Sequence, residues 1–214
     1  MTVQEVIDMA KYGELRNLKL GEFEDKAIVS YLNLGLIELY KRFPLSIKEV
    51  VLELNTVPNN EYLLPNDCMW LISAYGEVPA DQSQYTTMEL DINNEDNPMS
   101  INTVSWNKVQ IPVSIAGAYV SLIYEAAPDA SQKISYDDAG MYLLDDVQIP
   151  VQLVEPLLFY VGYRAHGAMD GSIQADSNTH YMRFDASCKK VKNDGMMTND
   201  NLDMRYRVRE RGFM

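Results

Sequence analysis

Apolar residues recur at helical spacing in two segments near the N-terminus. Thr2 and Glu5 have the N-cap and N3 spacing of a capping box, which predicts a first helix from Thr2 to about Gly13. A stronger amphipathic pattern predicts a second helix from about Glu22 to Phe43, because Pro44 cannot continue it. The apolar stripe of this second helix consists of Ile28, Leu32, Leu36, Leu39, Tyr40 and Phe43.

Between residues 46 and 149 the helical spacing gives way to short extended runs, which are separated by clusters of Pro, Asn and Asp. Several of these runs are rich in β-branched and aromatic residues, which favour strands. The predicted strands are residues 46–54, 62–65, 69–75, 109–113, 118–124 and 141–144. We therefore expect this segment to form a compact β-rich unit.

Helical spacing resumes at about Pro150, and Pro156 suits the first turn of a third helix that ends near residue 170. Ser172 can cap a fourth helix, which Gly195 closes. Neither the N-terminal nor the C-terminal pair of helices can bury its apolar stripe alone. The four helices are therefore expected to pack together.

These patterns predict an α+β fold: a discontinuous helical bundle of about four helices with a large β-rich insertion and an extended C-terminal arm. We expect residues 1–45 and 150–195 to form the helical domain, residues 46–149 the insertion, and residues 196–214 the arm. A chain of 214 residues is long enough for one domain that carries an insertion of this size.

The net charge of −13 is concentrated in the insertion. Residues 46–149 contain sixteen acidic residues and three basic ones, whereas residues 189–214 contain seven basic and four acidic residues. An acidic surface cannot bind nucleic acid by neutralising phosphates, which requires clustered Lys and Arg. Such a surface either keeps the protein in solution, repels polyanions or docks a basic partner.

The arm has an alternating pattern. In an extended strand, one face of residues 205–211 would carry four arginines and the other face the residues between them. The arginines are Arg205, Arg207, Arg209 and Arg211, and the residues between them are Tyr206, Val208 and Glu210. The segment is either a solvated terminus or an arm that adds to a partner's sheet edge or docks on an acidic neighbour.

We find no motif typical of nucleotide, metal or hydrolase sites. Residues 91–97 alternate Asp, Asn and Glu as a calcium loop does, but Asp96 stands where that loop requires glycine and Asn102 where it requires glutamate. The adjacent acids at 137–138 and 145–146 are typical of turns and solvated loops. We therefore expect no catalytic residue, no metal and no cofactor.

His166 and His180 are predicted to lie on helices as packing or surface residues. Cys68 and Cys188 fit no metal or redox spacing, which favours two free thiols in a reducing cytoplasm. No apolar run approaches the roughly 20 residues that a membrane span needs.

Three segments in a fixed order are typical of one protein family. The first is the N-terminal helix pair, which ends in residues 36–43 (LIELYKRF). The second is the strand and turn before residues 62–67 (YLLPND), with the apolar run that follows. The third is residues 147–150 (VQIP), which lead into residues 157–165 (LLFYVGYRA), a further helix and a polar tail. In this order, over most of its length, the chain resembles head–tail connector proteins of tailed bacteriophages, especially short-tailed ones; these are also called adaptor or head-completion proteins.

The resemblance implies a structural virion protein, not an enzyme. Such proteins form a homo-oligomeric ring, commonly of twelve subunits, between the portal and the tail. The ring is an adaptor with a channel through which the genome passes, without specific binding, during ejection. The implied partners are further copies of the chain, the portal protein and tail or spike proteins, with no membrane. The implied location is the head–tail junction of the virion, after assembly in the host cytoplasm.

The resemblance also implies that the C-terminal arm reaches the portal. The docking residues would then be Arg205, Tyr206, Arg207, Arg209, Arg211 and Phe213.

Two other functions stay open at this point. The chain could be a different tail subunit, for example one that anchors fibres. It could also be a small hydrolase whose acidic insertion holds a divalent metal through Asp91, Asp137 or Asp145.

Overall fold

The computed structural model of the protein describes residues 1–18, 25–54, 60–81, 84–113, 115, 119–128, 134, 146–167 and 174–194. Within these residues the chain forms two compact units. One contains Met1–Pro44 and the described residues from Pro128 onward, and the other is Leu45–Ala127. We call them the helical unit and the sheet unit.

Four α-helices build the described part of the helical unit. They are α1 (Val3–Tyr12), α2 (Asp25–Arg42), α3 (Val154–Gly167) and α4 (Gln174–Asn193), with a turn of 3₁₀-helix at Val151–Leu153 before α3. The predicted capping box is present: the Thr2 hydroxyl accepts from the Glu5 N–H at 3.1 Å, and the Glu5 carboxylate accepts from the Thr2 N–H at 2.8 Å. Pro156 lies in the first turn of α3, as predicted.

Helix α3 is central, since it contacts each of the other three helices. A Cβ at Gly35 of α2 would lie 2.5 Å from Leu157 Cδ1 of α3, so glycine permits the close approach of these two helices. The fully buried side chains of this unit include Ile7, Leu15, Ile28, Leu32, Leu39, Phe43, Leu153, Leu157 and Phe184. All four helices contribute to one core, as the apolar stripes predict.

Parts of the segment after Pro128 also pack on the helices. The Asn33 side chain of α2 donates to the Ile134 carbonyl at 2.8 Å and accepts from the Ile134 N–H at 2.9 Å. The Val147 N–H donates to the Met1 carbonyl at 2.9 Å, beside an antiparallel bridge between Thr2 and Asp146. These contacts tie residues 134 and 146–147 to the helical unit, and the domain boundaries given above stay a prediction.

Among the described residues, seven strands build the sheet unit, and the pairings between them are all antiparallel. They are β1 (Ile47–Glu53), β2 (Glu61–Leu63), β3 (Cys68–Asp81), β4 (Gln84–Leu90), β5 (Asn102–Ser105), β6 (Lys108–Gln110) and β7 (Tyr119–Ala126). One sheet has the strand order β1-β7-β3-β4, and a smaller one has the order β2-β6-β5. Their shared core consists of Leu64, Ala74, Leu90, Ile101, Val109, Ile111, Ile115, Val120 and Leu122.

The predicted α+β fold with about four helices is confirmed. The sequence did not predict β4 and β5, which are rich in polar residues, and it placed β3 too short. The strand predicted at 109–113 is observed as β6, one residue earlier and shorter. The strand predicted at 141–144 lies outside the described residues.

Candidate interaction surface

The six arm residues predicted to dock on a partner all lie outside the described residues. They are Arg205, Tyr206, Arg207, Arg209, Arg211 and Phe213. Asp137, Asp138 and Asp145 also lie outside them. Asp146 is described, and its carboxylate lies 3.4 Å from the N-terminal ammonium group of Met1.

Asp91 organises the loop between β4 and β5. Its carboxylate accepts from the side-chain amides of Asn97 at 2.7 Å and Asn94 at 2.9 Å, and these two hydrogen bonds lower the pKa of Asp91. Asn93 has a φ of 53°, a left-handed conformation that asparagine tolerates. Within the described ranges, no three His, Cys, Asp or Glu side chains come together in a way that could hold a metal ion.

The two histidines come together in the helical unit. Both are buried, and their rings stack with centroids 4.7 Å apart. His166 Nε2 lies 3.1 Å from the Glu14 carbonyl oxygen, and His180 Nδ1 lies 3.0 Å from the Glu14 carboxylate. Arg183 donates to the same carboxylate at 2.9 Å. The sequence predicted these histidines as packing or surface residues, and the structure has both as buried packing residues. Their mutual contact was not predicted.

The two thiols are expected to be poor nucleophiles. Burial raises the pKa of Cys68 to about 11, and the pKa of Cys188 also to about 11. Since the thiolate is the reactive form, alkylation by iodoacetamide at pH 8 should be on the order of 100-fold slower in the folded chain than in denaturant. Mass spectrometry of timed samples measures both rates, and equal rates in the folded and unfolded chain would contradict this prediction.

The four-stranded sheet has one face on the core and an opposite face that carries acidic residues. Successive side chains of a strand point to opposite faces, and Val50 and Leu52 of β1 pack on the core. The register of the strands places further acids of β7 and β4 beside those of β1 on the opposite face. We call Glu49, Glu53, Glu89 and Glu125 the acidic face. No described residue on this side of the strands is Lys, Arg or His.

Apolar and aromatic groups lie among these acids. The Trp70 side chain is 53% exposed, and its indole N–H donates to the Glu125 carboxylate at 2.7 Å. Val51 and Tyr119 are also exposed, and the Ser121 hydroxyl donates to Glu49. Ser121 and Ile123, which the register places on the same face, are buried. The exposed part of the face, around Trp70, Val51 and Tyr119, can bind a partner that is basic and partly apolar.

Three further exposed apolar residues lie on the smaller sheet, one of them at the turn between β5 and β6. Trp106 is 76% exposed at this turn, and Leu63 and Val104 on neighbouring strands are 66% and 51% exposed. We call these three residues the hairpin tip. Exposed large apolar side chains on one small sheet are typical of protein contacts.

No helix in the described part of the chain is long and apolar enough to cross a membrane. No protein family and no curated protein matches the chain. Among solved structures, the chain is similar to one from the neck of an empty GTA particle computed with C6 symmetry. The identity is 13%, the match covers 80% of each chain, and the TM-score is 0.28.

Proposed function

We propose that this chain is a structural subunit of the head–tail junction of a tailed-phage virion. It forms a ring between portal and tail and acts as an adaptor with a channel for the genome. The main support is the order of the elements: a helix pair, a β-rich unit and a second helix pair that packs on the first. This is the order of features in which the sequence resembles connector proteins.

The acidic face is compatible with a channel through which DNA slides. It consists of four carboxylates, and no described residue on the same side of these strands is basic. Carboxylates repel the phosphate backbone, whereas lysines and arginines would hold it through counterion release. A surface of this charge would let the genome pass without specific binding, if it lines the channel.

In this proposal the C-terminal arm docks on the portal. Arginine is enriched at interfaces because its guanidinium binds carboxylates through two hydrogen bonds. The sequence places four arginines at alternate positions from 205 to 211, followed by Phe213. These residues and Tyr206 supply the charged and aromatic contacts.

The test is to mix the chain with its portal and measure the mass of the complex by native mass spectrometry or sedimentation. We expect a ring of identical subunits on the portal. A variant with all four arm arginines changed to alanine should bind the portal roughly 100-fold more weakly. Lys189→Ala/Lys190→Ala/Lys192→Ala, which removes three positive charges from α4, is the control and should bind normally. A chain that stays monomeric with its portal would contradict the proposal.

The hairpin tip also fits a second function, a tail subunit that anchors fibres or spikes. Its exposed Trp106 and Leu63 could bind a tail protein in either setting. Electron microscopy of virions that carry a labelled chain separates the two, since a fibre anchor would lie away from the portal. The hydrolase alternative has less support, because the Asp91 carboxylate is engaged by two asparagine amides.

A further inference from the structure

The stacked histidines of the helical unit are the only two histidines in the sequence, and both are buried. His166 of α3 is 4% exposed and His180 of α4 is 9% exposed, and their ring planes differ by 25°. A Cβ at Gly162 would lie 2.8 Å from His180 Nδ1, so glycine at this position of α3 makes room for the second ring. Because a buried charge loses its hydration, two buried rings in contact resist holding two positive charges.

The atoms around each ring assign its proton at neutral pH. His166 Nε2 lies 3.1 Å from the backbone carbonyl oxygen of Glu14, which only accepts, so the proton of His166 is on Nε2. His180 Nδ1 lies 3.0 Å from the carboxylate of the same Glu14. A carboxylate repels the lone pair of a bare nitrogen, so the proton of His180 is on Nδ1. Glu14 thus sets opposite tautomers in the two rings.

The second nitrogen of His166 has a different environment. His166 Nδ1 is buried and has no hydrogen-bond partner among the described residues. A proton on this nitrogen would be a buried N–H without an acceptor, on a charged ring whose centroid lies 4.7 Å from that of His180. A positive charge on His180 would instead be offset by the Glu14 carboxylate beside it. Of the two rings, His166 is therefore the one that resists protonation.

The charged groups on the surrounding elements do not favour a charge on His166. Among the described residues, the carboxylate that the structure places at the pair is that of Glu14, and Arg183 of α4 already donates to it. The guanidinium of Arg183 adds a positive charge to the same site. Other titratable groups of these helices contact one another: Lys11 of α1 with Asp25 of α2, and Tyr163 of α3 with Tyr160 and Tyr181.

We propose that His166 stays neutral in the folded chain, and that the histidine pair is an acid-sensitive lock on the packing of α3 against α4. An imidazole in water takes up a proton near pH 6.5, so below this pH the unfolded chain binds one proton more than the folded chain. The stabilising effect is therefore complete above that pH and is lost as the pH falls. The folding equilibrium constant should decrease by about tenfold per pH unit below about pH 6. This inference goes beyond the proposed function and does not rest on it.

The first test is nuclear magnetic resonance of the full-length chain with ¹⁵N-labelled histidine, because the shifts of the ring nitrogens report tautomer and charge. At about pH 7.5 we expect the proton of His166 on Nε2 and that of His180 on Nδ1. As the pH is lowered to about 5.5, the His166 signals should stay those of a neutral ring for as long as the chain is folded. A proton on His166 Nδ1 at either pH, or a charged His166 ring in the folded chain, would overturn the proposal.

The second test is urea denaturation of matched variants at several pH values between about 7.5 and 5. His166→Gln keeps an N–H in the place of Nε2 but does not titrate, so its stability should decrease about tenfold less per pH unit than that of the unaltered chain. His180→Asn keeps an N–H in the place of Nδ1 and should retain the steep dependence. The carboxylates titrate alike in all three chains, so the difference isolates the imidazole of His166.

Equal pH dependence in the unaltered chain and in His166→Gln would contradict the proposal. Loss of the steep dependence in His180→Asn alone would assign the effect to the other ring and would contradict it too. The resonance measurement uses the unaltered chain, so it decides between a neutral and a charged His166 even if a variant fails to fold.

Discussion

Replacing Phe184 by alanine is expected to lower the free energy of unfolding by about 3–5 kcal/mol. The Phe184 side chain of α4 is fully buried. Its ring packs edge-on against Tyr160 of α3, with centroids 5.2 Å apart, and the Arg42 guanidinium of α2 lies 4.5 Å from its centroid. The substitution therefore leaves a cavity where three helices meet and removes the ring that Arg42 covers.

Urea denaturation followed by the helical circular dichroism signal measures this loss. Met182→Ala is the matched control, since Met182 lies on the same helix with 71% of its side chain exposed. Its effect should stay within about 0.5 kcal/mol. A loss below about 1 kcal/mol for Phe184→Ala would mean that the helical core refills the space, contrary to the close packing described here.

The helices could be predicted because their signals are local. The capping box at Thr2, the stop at Pro44 and the apolar spacing along α2 each act within a few residues, and the structure has a helix at each predicted place. Phe184 lies in the fourth predicted helix. The spacing of apolar residues could not predict the close contact at Gly35, because that contact depends on how α3 packs against α2.

Strands β4 and β5 could not be predicted because their stability comes from pairing with distant segments. Residues 84–90 (QYTTMEL) bury Leu90 in the core and pair with β3, and residues 102–105 pair with β6. These segments lack the alternation of apolar and polar residues by which a strand is predicted from its own sequence. The intrinsic strand propensity of a residue affects strand formation less than its packing and pairing in the folded protein do.

The candidate surface was predicted in composition but not in arrangement. The charge count placed the acids in residues 46–149, but only the pairing of β1, β7, β3 and β4 brings Glu49, Glu53, Glu89 and Glu125 to one face. The stacking of His166 and His180 similarly depends on the packing of α3 against α4. The sequence offered one signal of this contact. Histidines on two consecutive helices can meet when the helices pack against each other.

Replacing Glu14 by alanine is expected to lower the free energy of unfolding by about 2–3 kcal/mol. Glu14 follows α1, and its side chain is 18% exposed. Its carboxylate lies 2.9 Å from the Arg183 guanidinium and 3.0 Å from His180 Nδ1, so it joins the end of α1 to α4. Without it, Arg183 loses its charged acceptor and His180 Nδ1 loses the carboxylate beside it, in a partly buried place, which costs more than the loss of an exposed ion pair.

Chemical denaturation of Glu14→Ala, Glu14→Gln and Glu95→Ala separates the contributions. Glu14→Gln keeps an oxygen that can accept from Arg183 but removes the charge, so its loss should be about half as large. Glu95→Ala removes an exposed acid and should change stability by about 0.5 kcal/mol or less. If Glu14→Ala were as mild as Glu95→Ala, the carboxylate would add nothing to stability. The burial of His166 and His180 would then follow from the apolar packing of α3 against α4 alone.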